Sequence, residues 1–441
     1  MPLPAMLSPM IEHRPTYREP PVSYYWAAAT PPPPYPPLAG DVEADVAVIG
    51  GGFTGLSTAL HLALRGVTVV LVEARRIGWG ASGRNGGQVV PGYAADIRSI
   101  EASLGLDTAM ALWRFGTDAT DLVAELVARH RIDCALTPGF LTAAVKPAHA
   151  EDLNRLADHL ARRYAVAGLR PLDRRQIAGH LGSAVYHGGL LDPSGGHLDP
   201  LALARGLATA AAGAGAQLFE TSPVLRIERG DATTRLHLPG GRIRATHVVL
   251  AGNAYLGGLV PELERGIIPA STFMIATEPL DDTTTRGLIR DNVAVCDTRH
   301  ALNYFRLSSD RRLLFGGGIR YGGREPDALT AMLRARMIAV FPQLAGAAIP
   351  YGWSGLVDIS RNRLPQLGRL PGGLFYAQGF SGHGIALTLL AGQAIASAVA
   401  GETGRFDTLA AIPHRDFPGG RQLRAPILEI GRLWYRLLDM L

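Results

Sequence analysis

The sequence predicts an α/β fold: a parallel sheet wound with helices, joined to a mostly antiparallel α+β domain. Three segments point to it, each an apolar strand-like run that ends in a glycine turn or an acid. The first is Asp45-Val46-Ala47-Val48-Ile49, followed at once by Gly50-Gly51-Gly52-Phe53-Thr54-Gly55. The second is Val67 to Val72, which ends at Glu73. The third is Leu374-Phe375-Tyr376-Ala377, followed by Gly379-Phe380-Ser381-Gly382-His383-Gly384-Ile385-Ala386. Short, continuous apolar runs suit buried parallel strands, which have no solvent face to alternate with.

The first two segments compose a dinucleotide-binding βαβ unit of Rossmann-like type. Gly50 allows the tight turn, Gly52 lets the backbone approach a pyrophosphate, and Gly55 lets the helix pack closely on the strand. The helix, read as amphipathic through Leu56, Leu60 and Leu64, begins with free N–H groups and a positive dipole end aimed at phosphates. Glu73 falls at the tip of the second strand, where a carboxylate accepts hydrogen bonds from both ribose hydroxyls. A glycine-dense loop, Ile77 to Gln88, comes next. Its backbone N–H groups and small residues suit a second close approach to a bound cofactor, which a nicotinamide site does not need.

On Asp45 to Glu73, the Gly80–Gln88 loop and several later segments, the sequence resembles the D-amino acid oxidase and sarcosine oxidase superfamily of FAD enzymes. Within it the match is close to amine oxidases of the γ-glutamylputrescine oxidase type. The resemblance implies an FAD-binding domain of the glutathione-reductase type beside a substrate domain. It places the ADP half of FAD on Gly50, Gly52, Phe53, Thr54 and Gly55, and against Glu73, Ala74 and Arg75. The loop of Gly80, Ala81, Ser82, Gly83, Arg84, Asn85, Gly86, Gly87 and Gln88 would approach the pyrophosphate and the isoalloxazine ring. Val224 would hold the adenine through its backbone. Gly252 would end the strand that returns under the FAD. Gly382, His383, Gly384 and Ile385 would meet the pyrimidine end of the flavin. The positive end of the following helix, read as amphipathic through Leu387, Leu390, Ile395 and Ala398, would there stabilise the reduced, anionic ring.

Along the chain, residues 1–40 read as a Pro-rich arm, with Pro31 to Pro37 in polyproline II. Residues 41–92, 147–254 and 354–405 are assigned to the FAD domain. Residues 93–146 and 255–353 are assigned to the substrate domain, and 406–441 to an amphipathic tail. Helices are expected over 104–131, 151–170 and 199–215, the last capped at Asp199-Pro200. Strands are expected within 217–227 and 245–254. The runs 271–277, 300–307 and 312–317 are expected to form the antiparallel substrate sheet.

His300, Tyr304, Arg306, Trp353 and His383 are the expected active-site set. Tyr304 and Trp353 would wall off water and orient an alkyl amine, with core packing as the equal alternative for both. His247 is expected to be a packed or surface histidine. Two departures from the sarcosine oxidases matter. Their flavin-linking cysteine has no counterpart in Trp353 to Ser360, which implies dissociable FAD. Their substrate-binding lysine matches Ala386, which implies an amine whose carboxylate is remote or absent, unless Arg306, Arg361 or Arg363 replaces the lysine.

Composition bounds the rest. The 441 residues suffice for two domains. No apolar stretch reaches membrane-spanning length, and the N-terminus lacks a signal-peptide apolar core. Cys134 and Cys296 make no disulfide framework and fit a reducing cytoplasm. A net charge of +5, without a basic run, argues against nucleic acid. No metal-ligand cluster, Ser-His-Asp triad or paired-carboxylate signature stands out. Lys146 is the only lysine and reads as a solvated strand end. The expected partners are a small amine and O2 or a quinone as electron acceptor. Pro426 to Leu441 is apolar, aromatic and basic; it suits peripheral membrane contact, or docking on the protein or on a second copy. A quinone-linked FAD dehydrogenase of sarcosine- or pipecolate-like substrates, and a flavoprotein without catalysis, are the alternative functions.

Overall fold

The computed structural model describes residues 23–30, 32–321 and 328–417. Its first sheet is built on Val42–Ile49, which pairs in parallel with Gly241–Leu250 on one side and Val69–Val72 on the other. Gln217–Phe219 extends the parallel ladder beyond Val69–Val72, and Leu374–Gln378 extends it beyond Gly241–Leu250. Gln366–Leu370 closes that edge antiparallel. Val46, Ala47, Val48 and Val69 to Val72 are all buried, so the continuous apolar runs are sandwiched on both faces as expected.

The helices Phe53–Ala63, Leu106–Arg129, Pro200–Gly213 and Gly384–Val399 share one core with this sheet. Phe53–Ala63 is buried at nearly every position, and Leu64 is exposed. Gly384–Val399 is likewise buried almost all round. Neither is the amphipathic surface helix that its leucine spacing suggests; each is enclosed by its neighbours. A Cβ on Gly392 would fall 2.6 Å from Thr54 O, so the two helices approach backbone to side chain only because that position is glycine. Asp199 caps Pro200–Gly213 by accepting from Leu201 N and Ala202 N, each at 2.9 Å.

The second sheet runs Tyr351–Ser360, Ile267–Ala276, Leu313–Tyr321, Asn303–Leu307, Ala294–Asp297, Thr137–Ala144, Gly188–His197 and Gln88–Val89. It is antiparallel apart from the pairing of Ala294–Asp297 with Thr137–Ala144. Its membership differs from the division expected from chain order. Arg170–Leu172 and Gly188–His197, inside 147–254, pair in this sheet and not in the parallel one. Tyr351–Ser360 does so too, although 354–360 was assigned to the FAD domain. Conversely Leu106–Arg129, inside 93–146, packs its buried face into the first core. Ladder pairing between distant segments, invisible in a local pattern, decides each case.

The described part of the arm is fastened at two places. Tyr24–Ala28 forms a short helix capped by Ser23, and Tyr25 is buried. Residues 32–39 run without helix or strand pairing. There Tyr35 N donates to Glu220 Oε2 at 3.2 Å and Leu38 N to Ser222 Oγ at 2.8 Å. Lys146 precedes the helix Pro147–Tyr164 as its N-cap residue and is half-buried. Among the described residues no single helix is long and apolar enough to cross a membrane. The tail Pro426 to Leu441 lies outside the described residues.

Candidate functional site

The glycine turn is closed by backbone contact. Gly50 stands at φ +116°. A Cβ on Gly55 would lie 2.0 Å from Gly50 O, far inside any real contact. A Cβ on Gly52 would meet Ser82 Oγ at 2.9 Å, and that oxygen accepts from Phe53 N at 3.0 Å. The second glycine loop therefore plugs the start of the first helix. Glu73 Oε2 accepts from Gly51 N at 2.7 Å and Oε1 from Arg75 N at 2.9 Å. Burial pushes the Glu73 carboxyl up, and these two N–H groups oppose that push. Each carboxylate oxygen has about two acceptor sites, so each retains capacity for a ligand hydroxyl.

One cavity of about 1430 Å³ joins these parts. Its wall includes Gly50, Gly52, Phe53, Thr54, Glu73, Ala74, Gly80, Ala81, Ser82, Asn85, Gly86 and Gln88 from the first half of the chain. It also includes Val224, Gly252, His300, Tyr304, Gly382, His383, Gly384 and Ile385. It exceeds the roughly 300–1,000 Å³ of an ordinary ligand pocket, as a dinucleotide site continuous with a substrate site should.

Seven expected site residues lie behind this wall. Gly55, Gly83 and Gly87 serve close packing; a Cβ on Gly83 would lie 2.1 Å from Gly78 O, and one on Gly87 2.2 Å from Leu198 O. Arg75 is exposed, and Arg84 folds back over the Trp79 ring, its Nε donating to Trp79 O at 2.6 Å. Arg306 and Trp353, expected in the active-site set, do not line the cavity. Arg306 is buried and donates from Nε to Gly86 O at 2.7 Å and from Nη1 to Leu307 O at 3.1 Å. Trp353 is buried and donates from Nε1 to Arg84 O at 2.9 Å. Both brace the loop from outside.

The third glycine segment turns through Ser381 at φ +55° and Gly382 at φ +94°. Buried Asp358 secures it: its carboxylate accepts from Gly379 N, and its carbonyl accepts from Ser381 N at 2.9 Å. The helix Gly384–Val399 then starts at His383 with no side-chain cap, so its N-terminal end is open to the cavity. Burial, reinforced by the Arg363 charge, lowers the His383 imidazole to about 4, so it is neutral at physiological pH. Its Nδ1 is buried without a hydrogen-bond partner among the described residues.

The substrate side is walled by Tyr304, whose ring fills the space above two glycines. A Cβ on Gly86 or Gly316 would come within 2.9 or 2.1 Å of it. Burial holds its phenol protonated well beyond the usual range. Cys296 also lines the cavity, and burial pushes its thiol up, which disfavours thiolate chemistry. Four arginines line the cavity: Arg299, Arg320, Arg336 and Arg363. Arg299 pairs with buried Asp297, and Arg336 donates to Leu302 O at 3.1 Å. Arg320 and Arg363 have no side-chain hydrogen bond or ion pair among the described residues. Arg361, a candidate from sequence, does not line the cavity, nor does Ala386, which is buried in the core.

A protein family described as FAD dependent oxidoreductase (DAO) matches residues 45–398. The chain belongs to the DAO family. This DAO-family oxidoreductase is 43% identical over 420 residues to the gamma-glutamylputrescine oxidoreductase of Escherichia coli (strain K12), covering 95% of this chain and 98% of that protein. It is 36% identical over 427 residues to a probable oxidoreductase, OrdL, of Haemophilus influenzae, covering 96% of this chain and 98% of that protein. The crystal structure of glycine oxidase from Geobacillus kaustophilus matches with a TM-score of 0.70 at 26% identity, covering 82% of this chain and 95% of that chain. The protein is thus an FAD-dependent enzyme of mixed α/β fold.

Features of this DAO-family site fit FAD. Two helix N-termini border one cavity, Glu73 stands at the tip of the strand next to the first of them, and an orphaned imidazole nitrogen waits in the wall. Sequence reading missed Arg320, Arg336, Asp297 and Asp358. The one local signal for Arg320 is its place on a glycine-rich strand, Gly316-Gly317-Gly318-Ile319-Arg320, where absent side chains open a cavity.

Proposed function

We propose that this flavoenzyme oxidises the C–N bond of γ-glutamylputrescine, or of a closely similar N-acylated diamine, to an imine, with O2 as acceptor and hydrogen peroxide as product. The observation that carries the reading is Arg320, a cation in the same cavity as Tyr304 with no side-chain hydrogen bond or ion pair among the described residues. The extensive similarity to a protein named for γ-glutamylputrescine supports it. That substrate has a carboxylate at the end remote from its reacting amine. Arg320 offers the carboxylate a charge-assisted, bidentate contact, and Tyr304 offers the alkyl stem an apolar wall.

On this reading Gly50, Gly52, Phe53, Thr54, Glu73 and Ser82 hold the nucleotide half of FAD. Asn85, Gly86, Gly382 and His383 face its ring, and Val224 its adenine. Bound FAD supplies the acceptor for the hydride of the amine's α C–H. Tyr304 positions that carbon and excludes water. Neutral His383 offers a hydrogen bond without a competing charge. The released imine hydrolyses to an aldehyde and ammonia. With no cysteine in Tyr351–Ser360 and a protonated Cys296 thiol, FAD is held without a covalent bond. The enzyme works in the cytoplasm.

An anaerobic panel of γ-glutamylputrescine, putrescine, pipecolate, sarcosine and D-alanine, followed by the flavin absorbance, tests the substrate. The acylated diamine should exceed sarcosine and D-alanine in kcat/KM by about a hundredfold or more, since a lost ion-pair partner costs several kcal/mol. Faster reduction by sarcosine or pipecolate at equal low concentration refutes the assignment and favours the amino-acid reading, with Arg320 or Arg363 on a nearer carboxylate. In the same panel kcat/KM should rise between about pH 6 and pH 10, because the amine must lose its proton. His383, lowered to about 4, stays neutral there, and Tyr304, raised by burial, stays protonated. Neither masks the slope. Stoichiometric peroxide separates an oxidase from a quinone-linked dehydrogenase.

A further inference from the structure

Three successive carbonyls of the loop beside Tyr304 are held from behind. Trp353 Nε1 donates to Arg84 O at 2.9 Å, Tyr25 Oη to Asn85 O at 3.0 Å, and Arg306 Nε to Gly86 O at 2.7 Å. The three donors come from the strand Tyr351–Ser360, the arm helix Tyr24–Ala28 and the strand Asn303–Leu307. They form one buried cluster. Arg306 Nη2 donates to Tyr25 Oη at 3.1 Å, and the Tyr25 and Trp353 rings meet edge to face at 5.6 Å. None of the three lines the cavity.

A trans peptide directs its N–H opposite to its C=O. Carbonyls drawn outward by Trp353 and Tyr25 therefore turn the N–H groups of Asn85 and Gly86 inward. Both residues line the cavity, and neither N–H has an acceptor among the described residues. Gly87 N, the next in the series, is satisfied by Asn85 Oδ1 at 2.8 Å. Adjacent backbone N–H groups on one side of a loop make a concave donor site. Burial pushes the Tyr25 phenol up to about 12, against the opposing Arg306 charge, so it remains a donor at physiological pH.

We propose that Tyr25 is a positioning residue: from the N-terminal arm it fixes the Asn85 carbonyl and so aims the Gly86 N–H at bound FAD, beside the Asn85 N–H that Trp353 aims through the Arg84 carbonyl. This rests on FAD occupying the cavity and not on which amine reacts. The arm is then part of the cofactor site, although it touches no cofactor.

Tyr25→Phe removes one hydroxyl and keeps the ring. FAD titration into apoprotein should show a Kd raised about tenfold, the effect of one buried hydrogen bond. The midpoint potential of the bound flavin should move as well. Tenfold unequal weakening of its two redox states corresponds to about 30 mV for a two-electron couple. Tyr24→Phe is the control: it cuts the arm's bond to Asp310 and leaves the loop carbonyls paired. It should leave Kd and potential unchanged. Tyr25→p-aminophenylalanine restores a donor and should restore both readouts, which also covers a poorly folding Tyr25→Phe. Unchanged Kd and potential in Tyr25→Phe, equal shifts in Tyr24→Phe, or no recovery with the amino analogue would each overturn the proposal.

Discussion

Gly55→Ala should yield a colourless protein. The new Cβ would stand 2.0 Å from Gly50 O and 3.2 Å from Val48 Cγ1, so the turn or the helix must retreat by about 1 Å. The nearer partner is backbone and the other is a methyl of fully buried Val48, so neither can swing aside in a packed core. Overpacking of this kind costs about 1–3 kcal/mol of stability. The heavier loss is expected on the cofactor, because the displaced turn carries the N–H groups proposed to face the pyrophosphate. The FAD Kd should rise by about a hundredfold or more, the effect of losing two charge-assisted hydrogen bonds of about 1.5–3 kcal/mol each. Gly213→Ala is the matched control, because nothing lies within 4 Å of its added Cβ. It should purify yellow. A yellow Gly55→Ala enzyme with unchanged Kd would remove this turn from the cofactor site.

Glu73→Ala should be nearly as severe. On the proposed site it removes two charge-assisted bonds to ribose, worth about 1.5–3 kcal/mol each, or roughly a hundredfold in Kd for the pair at the least. It also releases Gly51 N and Arg75 N, which the carboxylate now holds. The turn thus loosens on the side facing the ligand. Glu73→Gln should fall between wild type and Glu73→Ala, because it keeps one acceptor oxygen and loses the charge. Titration of acid-released FAD back into each apoprotein measures all three. Equal affinities would show that Glu73 serves the turn alone.

The parts of the site that could be read in the sequence are those set by local backbone geometry. Gly50 takes φ +116°, and Gly52 and Gly55 sit where a side chain would collide with Ser82 of the next loop or Gly50 of the same unit, so their spacing carries the meaning. Asp199 capping Pro200–Gly213 is legible for the same reason. The parts that could not be read depend on partners far along the chain. Trp353 meets Arg84, Arg306 meets Gly86, and Tyr25 meets Asn85, none of them near in sequence. An aromatic or arginine near a predicted substrate strand looks the same whether it faces the cavity or braces its wall. Tyr304 and Arg306 illustrate this: they share one face of a strand, and only Tyr304 reaches the opening. Chain order likewise hides the pairing of Gly188–His197 with Thr137–Ala144, which lies about 50 residues earlier.

The solitary Lys146 acquires a meaning from the proposed product. Aldehydes condense with primary amines, and an enzyme that generates them is exposed to its own output at every turnover. Here Lys146 stands at the entrance to the helix Pro147–Tyr164, outside the cavity wall. Every other residue of its charge class is arginine, whose protonated guanidinium is a poor nucleophile. The protein surface is therefore almost inert toward Schiff-base formation. If the proposed aldehyde forms, Schiff-base damage to lysine side chains is expected at Lys146 alone, which peptide mapping after prolonged turnover reads directly.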